Sequence, residues 1–149
     1  NNPVDRSKSC RDNHIKLWEK IKKDEIYIIF EDDIIIKENK FEEIINSMED
    51  RKWCGINFGV STKGLNGYDV GNGFKRALKT VGLPGVNVGG FSYAINGENI
   101  NQLLNIFKDK NKNSAYFDVQ LKGNFDKVHY YWHTPGIVNH NFHLKSTRI

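Results

Sequence analysis

Three consecutive carboxylates, Glu31-Asp32-Asp33, follow directly on the apolar run Ile26-Tyr27-Ile28-Ile29-Phe30. That run is rich in β-branched and aromatic side chains and reads as a buried central strand. Acids at the C-terminal end of such a strand stand where open α/β sheets place their ligands. Burying charge there costs free energy unless something compensates, and a divalent cation held by oxygen ligands does so. Glu31 and Asp33, the first and third residues of the turn, can converge on one ion while Asp32 points elsewhere. The alternative is that all three acids leave the strand into solvent, neutralised by nearby lysines.

The elements that must position these acids follow from hydrophobic spacing. His14, Ile15, Leu17, Trp18 and Ile21 recur at helical intervals, with Lys16, Glu19, Lys20 and Lys23 on the other face. Ser9 or Asp12 is placed to cap this helix. His14, beside Trp18 on the apolar side, is a further candidate site residue, though it reads first as a satisfied core histidine. After the acidic turn comes a short apolar return, Ile34–Ile36. Asn39 is then expected to cap a helix running through Asp50, with Phe41, Ile44, Ile45 and Met48 as its core stripe. Trp53–Val60 reads as a second strand. Ser61–Val86 is rich in Gly and Asn and reads as one long loop, either a substrate-side lid or a plain mobile connection. Its Lys63-Gly64-Leu65 and Gly71-Asn72-Gly73 lack the Gly-Lys-Ser/Thr ending and strand-turn-helix setting of a phosphate loop. Val86–Ile95 is strand-like around Gly89-Gly90, which mark a bulge or a close backbone approach. Asn96 precedes a helix bearing Ile100, Leu103, Leu104 and Phe107. Tyr116–Leu121 reads as a short helix with Asp118 near its start, and Val128–Trp132 and Ile137–His140 as short strands. Alternating strands and helices indicate an α/β architecture.

At 149 residues the chain suits one domain, 1–149, with room for a substantial core. Its 22 basic and 18 acidic residues leave a net charge of +4, with the two signs interspersed. Lysines such as Lys20, Lys22 and Lys23 are what a wet helix face normally carries, which argues against nucleic acid. The same mild positive field favours a phosphate-bearing small ligand. Two cysteines, Cys10 and Cys54, form no metal spacing and no disulfide framework, which suggests a reducing compartment. Without an apolar run long enough to span a bilayer, or a visible signal peptide, the expected location is cytoplasmic.

Several separated pieces resemble one family. Cys10-x-x-Asn13-His14-x-x-x-Trp18 opens a helix, and Phe30-Glu31-Asp32-Asp33-Ile34 follows one strand later. Gly89-Gly90-Phe91-Ser92-Tyr93-Ala94-Ile95 precedes a helix, and Tyr116-Phe117-Asp118-Val119-Gln120-Leu121 leads on to Pro135-Gly136-Ile137-Val138-Asn139-His140 and Ser146-Thr147-Arg148-Ile149. In this order they resemble glycosyltransferase family 25, the lipooligosaccharide and collagen galactosyltransferase-like group. Asn13 stands where the family usually has Ser. The resemblance implies a GT-A-like, Rossmann-like mixed sheet flanked by helices, here without its nucleotide-binding first strand and helix. It implies a nucleotide-sugar donor, a UDP-sugar by expectation, and a glycan or glycoprotein acceptor of the lipopolysaccharide type. Mn²⁺ is the implied cofactor, with Mg²⁺ as the second choice.

By the same resemblance Glu31 and Asp33 form the metal motif, Asp33 as a direct ligand, and Asp32 lies near the donor sugar or ribose. A late histidine completes the metal shell in such enzymes; His140 is the candidate, with His143 in reserve. Asp118 is the candidate base for an inverting transfer, and Gly89, Gly90 and Tyr93 are expected on the acceptor side. Two other functions compete. One is a non-catalytic nucleotide- or glycan-binding relic of the fold; the other is a metal-dependent phosphoesterase, which wants more carboxylates and histidines than the sequence assembles.

Overall fold

The structure, a computed structural model, describes residues 3–59, 67–79, 92–108 and 117–141. The chain runs α1 (Pro3–Glu19), β1 (Ile26–Phe30), β2 (Ile34–Ile36), α2 (Phe41–Asn46), β3 (Gly55–Asn57), β4 (Gly67–Gly71), β5 (Phe74–Ala77), β6 (Ser92–Asn96), α3 (Ile100–Lys108), α4 (Phe117–Lys122), β7 (Tyr130–His133) and β8 (Val138–His140). Single 3₁₀ turns, Gly97–Asn99 and Phe125–Lys127, precede α3 and β7.

Among the described residues six strands form one mixed sheet in the order β1-β6-β3-β7-β5-β4, and β2 and β8 form a separate antiparallel ribbon. Only the β3–β7 pair within that sheet is parallel; its other neighbours run antiparallel. Side chains alternate across the sheet as the two-residue period of a strand requires. Tyr93 and Ile95 of β6, and Tyr130 and Trp132 of β7, point into one core with Trp18 of α1, Leu103 and Phe107 of α3, and Phe117 and Leu121 of α4. Ala94 and Tyr131 point into the other core, with Phe41 and Ile44 of α2, Ile56, Phe58 and Phe74. The β2–β8 ribbon joins this second core through Ile34, Ile137 and Val138. Helices α1, α3 and α4 thus cover one face, and α2 with the ribbon covers the other.

Several expected elements differ. Among the described residues the Ile26–Phe30 strand pairs on one side only, with β6, and so stands at the edge of the sheet where a central strand was expected; Ile26, Ile28 and Phe30 face outward with 37–49 % exposure. An unbroken apolar run fits either position, and only the pairing partners decide it. Lys40, not Asn39, precedes α2; its side chain makes no capping bond, and the helix ends at Asn46. The second strand shortens to Gly55–Asn57, and α1 begins well before Ser9.

The expected long loop contains a hairpin. Asn72 (φ 55°) and Gly73 (φ 80°) both take left-handed backbone at the β4–β5 turn, the requirement of a two-residue type I′ hairpin. Its Asn-Gly pair is the strongest short hairpin signal a sequence offers. Residues 60–66 and 80–91 lie outside the described residues, Gly89 and Gly90 of the expected Val86–Ile95 strand among them.

Candidate active site

The acidic turn leaves β1 at the sheet edge and feeds β2. In the ribbon, Ile34 pairs with His140, and the Asn141 amide donates to the Asp33 carbonyl at 2.7 Å. That register brings His140 beside Asp33: Nε2 lies 2.8 Å from Oδ2. One ligand atom each from Glu31, Asp33 and His140 falls within 4.8 Å of the others. The three residues expected to converge are therefore neighbours. Asp32, between two of them, is exposed and belongs to neither ligand cluster.

Asp33 is 3 % exposed, and its Oδ1 finds no hydrogen-bond partner among the described residues. A buried carboxylate oxygen left unsatisfied costs about 1–3 kcal/mol or more. The Ile34 and Val138 side chains of the ribbon pack against the second core, so water reaches this carboxylate poorly. An orphaned buried oxygen beside a second carboxylate and an imidazole is the environment a divalent cation relieves. Two carboxylates and one nitrogen suit Mn²⁺ and tolerate Mg²⁺ less well. The residues present therefore fit the implied ion.

Behind Glu31 lies a second cluster that the sequence reading did not assemble. Cys10 and His14 stand four residues apart on one face of α1, and one ligand atom each from Cys10, His14 and Glu31 again falls within 4.8 Å. Cys10 was expected to have no metal spacing; Cys-x₃-His on one helix face is the signal that points to this cluster. Cys10 and Cys54 form no disulfide. His14 is buried, as expected of a core histidine, and its ring stacks on Phe117 at 4.3 Å between centroids.

Tyr93, expected on the acceptor side, is 1 % exposed. Its hydroxyl accepts from Trp18 Nε1 at 3.1 Å and shares a 2.5 Å hydrogen bond with His14 Nδ1. Burial pushes the phenol pKa well up, so Tyr93 stays protonated. Residue 118 lies in the first turn of α4, next to the Phe117 that covers His14. The Asp118 side chain and His143 are outside the described set.

A further polar group ties α2's exit to the sheet. Asp50 Oδ2 accepts from His129 Nδ1 at 2.8 Å and from the Tyr131 hydroxyl, with Arg76 Nη1 3.9 Å away. Burial alone would raise the Asp50 pKa, but the hydrogen bonds from Tyr131 and His129 outweigh it and hold the carboxyl below its ordinary range. These residues are far apart in sequence and gave no signal there.

Residues 5–66 match the family model of glycosyltransferase family 25 (LPS biosynthesis protein). The match bears out the resemblance over the segment that holds the Cys10–Trp18 and Phe30–Ile34 pieces. No curated protein matches the chain. The glycosyltransferase family 25 segment contains Cys10, His14, Glu31, Asp32 and Asp33, which are the N-terminal contributions to both clusters. Tyr93 and His140 lie beyond it and reach the two clusters through the fold. Among the described residues no helix is long and apolar enough to cross a membrane.

Proposed function

We propose that this chain is a divalent-metal-dependent glycosyltransferase. It moves a hexose from a nucleotide sugar, a UDP-sugar in the first instance, to a hydroxyl of a glycan or glycosylated protein, with inversion. The carrying observation is the meeting of Glu31, Asp33 and His140 at the C-terminal end of β1, inside a stretch that begins with family 25 sequence. Fold-level likeness alone would not suffice for this, because one fold hosts many chemistries.

In this reading Glu31, Asp33 and His140 hold Mn²⁺. When bound, the ion stabilises the negative charge that gathers on the departing nucleoside diphosphate. Asp118 takes the proton from the acceptor hydroxyl as its oxygen forms the new bond to the anomeric carbon. The bond from that carbon to the diphosphate oxygen breaks, and its electron pair leaves with the nucleotide. In the same reading Asp32, exposed between the ligands, takes the donor's sugar or ribose hydroxyls.

The test pairs UDP-hexose turnover with metal binding in wild type and Asp118→Asn. The expected result is Mn²⁺-dependent release of UDP in the wild type, lost in the variant, with Mn²⁺ binding retained. Turnover undiminished in Asp118→Asn removes that residue as the base. Binding of UDP with no turnover on any UDP-hexose leaves the nucleotide-binding relic, and donor-independent hydrolysis of simple phosphate esters would point to the phosphoesterase.

A further inference from the structure

We propose that Cys10, His14 and Glu31 form a second metal position, selective for a soft ion of the Zn²⁺ type, which shares the Glu31 carboxylate with the Mn²⁺ position. The inference rests on the cluster's own geometry and needs the glycosyltransferase reading only for the identity of the neighbouring site.

Three observations carry it. First, the spacing suits a small ion. Zinc bonds of 2.0–2.3 Å at tetrahedral angles put ligand atoms roughly 3.5 Å apart, and the three ligand atoms here already lie within 4.8 Å of one another. Rotamer adjustment of about an ångström per ligand closes the site. Second, two of the ligands share one helix. Cys10 and His14 stand one helical turn apart on α1, and Glu31 is the residue directly after β1. Third, the imidazole is held from behind. Tyr93 OH engages Nδ1 at 2.5 Å, Trp18 Nε1 fixes that hydroxyl, and Phe117 stacks on the ring. Metal-bound histidines characteristically have their other nitrogen anchored in this way, which sets ring orientation and tautomer. Coordination then falls to Nε2.

The donor sets divide the metals. Oxygen, oxygen and imidazole suit Mn²⁺, whereas thiolate and imidazole favour Zn²⁺ over Mn²⁺ by ligand softness and by the general affinity order. Three protein ligands leave a fourth tetrahedral position for water or for an oxygen of a bound molecule. Glu31, with two carboxylate oxygens, can serve both positions at once.

Co²⁺ is the probe, since it takes tetrahedral sites like Zn²⁺ and shows a thiolate charge-transfer band in the near ultraviolet. The reduced, chelator-stripped protein would be titrated with Co²⁺ and then with Zn²⁺, in wild type, Cys10→Ser, His14→Gln, Asp33→Asn and Cys54→Ala. Expected is a thiolate band saturating at one equivalent, displaced by Zn²⁺, absent in Cys10→Ser and weakened in His14→Gln. The band should persist in Asp33→Asn. It should persist in Cys54→Ala too, because Cys54 is buried and its thiol is pushed up to about 12 by that burial. No band in folded wild type, or a band that survives Cys10→Ser, overturns the proposal. Mn²⁺ binding, followed separately by electron paramagnetic resonance, should survive Cys10→Ser. Failure of Mn²⁺ binding with the thiolate band intact would strike the first site and leave this one standing.

Discussion

Asp33→Asn separates the metal reading from a purely structural one, because the two predict different outcomes. Asparagine keeps the side-chain size and the pairing of the residue 33 carbonyl with Asn141, removes the charge and exchanges one acceptor oxygen for an amide donor. In the metal-free protein that charge is met only in part: His140 Nε2 stands 2.8 Å from Oδ2, but Asp33 is 3 % exposed and its Oδ1 has no hydrogen-bond partner among the described residues. The metal-free variant should therefore stay close to wild type in stability. With Mn²⁺ the two part. An ion that binds only the folded state adds about 2.7 kcal/mol at one hundred times its dissociation constant. For a chain of 149 residues each kcal/mol moves the midpoint by about 2–4 °C, so the wild type should gain about 5–11 °C. Asp33→Asn should gain little of this, having lost the one ligand that is fully buried. Thermal unfolding with and without Mn²⁺, in wild type and variant, reads both effects. An equal Mn²⁺-induced gain in the two proteins, or a metal-free variant that is markedly less stable, would refute the argument that Asp33 is buried for an ion.

Two further predictions concern the frame around the site. A Cβ on Gly97 would sit 2.0 Å from the Lys22 carbonyl oxygen and 2.6 Å from that of Glu25, both backbone atoms that cannot swing aside. Gly97→Ala should therefore cost about 1–3 kcal/mol in urea unfolding, whereas an unchanged midpoint would mean that the α1–β1 connection is not packed against the end of β6. The Asp50 carboxyl is held below its ordinary value of 3.8 by Tyr131 and His129, against the opposing effect of burial. A depressed carboxyl contributes fully above its unfolded pKa and loses that contribution as pH falls through the folded value. The stability gap between wild type and Asp50→Asn should accordingly be flat above about pH 5 and close as pH falls below about 4. A gap that widens on acidification would contradict this assignment.

The parts of the molecule legible in the sequence are those set by neighbours along the chain. The apolar stripe of α1, the strand before the acids and the Asn96 turn, where the side chain accepts from the Glu98 amide, all follow from local spacing and local hydrogen bonding. Pairing is another matter. β1 sits at the edge because β6 takes one side of it and no described strand takes the other, a fact that Ile26–Phe30 does not encode by itself. The Asn72-Gly73 turn is legible locally, but the glycines and asparagines around it give the same stretch the composition of a loop.

The position of β1 also bears on how the acids can be buried at all. A turn leaving an edge strand should be wet, and Asp32 is exposed as that argument requires. Asp33 escapes solvent because the next three residues pair with β8, which covers it and delivers His140 in the same step. Desolvation and ligand supply are thus one event, the closing of a ribbon between Ile34 and His140, which stand more than a hundred positions apart. The family segment ends at residue 66 and holds only half of that ribbon. Changes that loosen the β2–β8 pairing without touching either carboxylate should therefore lower metal affinity as surely as removal of a ligand. Both the burial of Asp33 and the placement of His140 depend on that pairing.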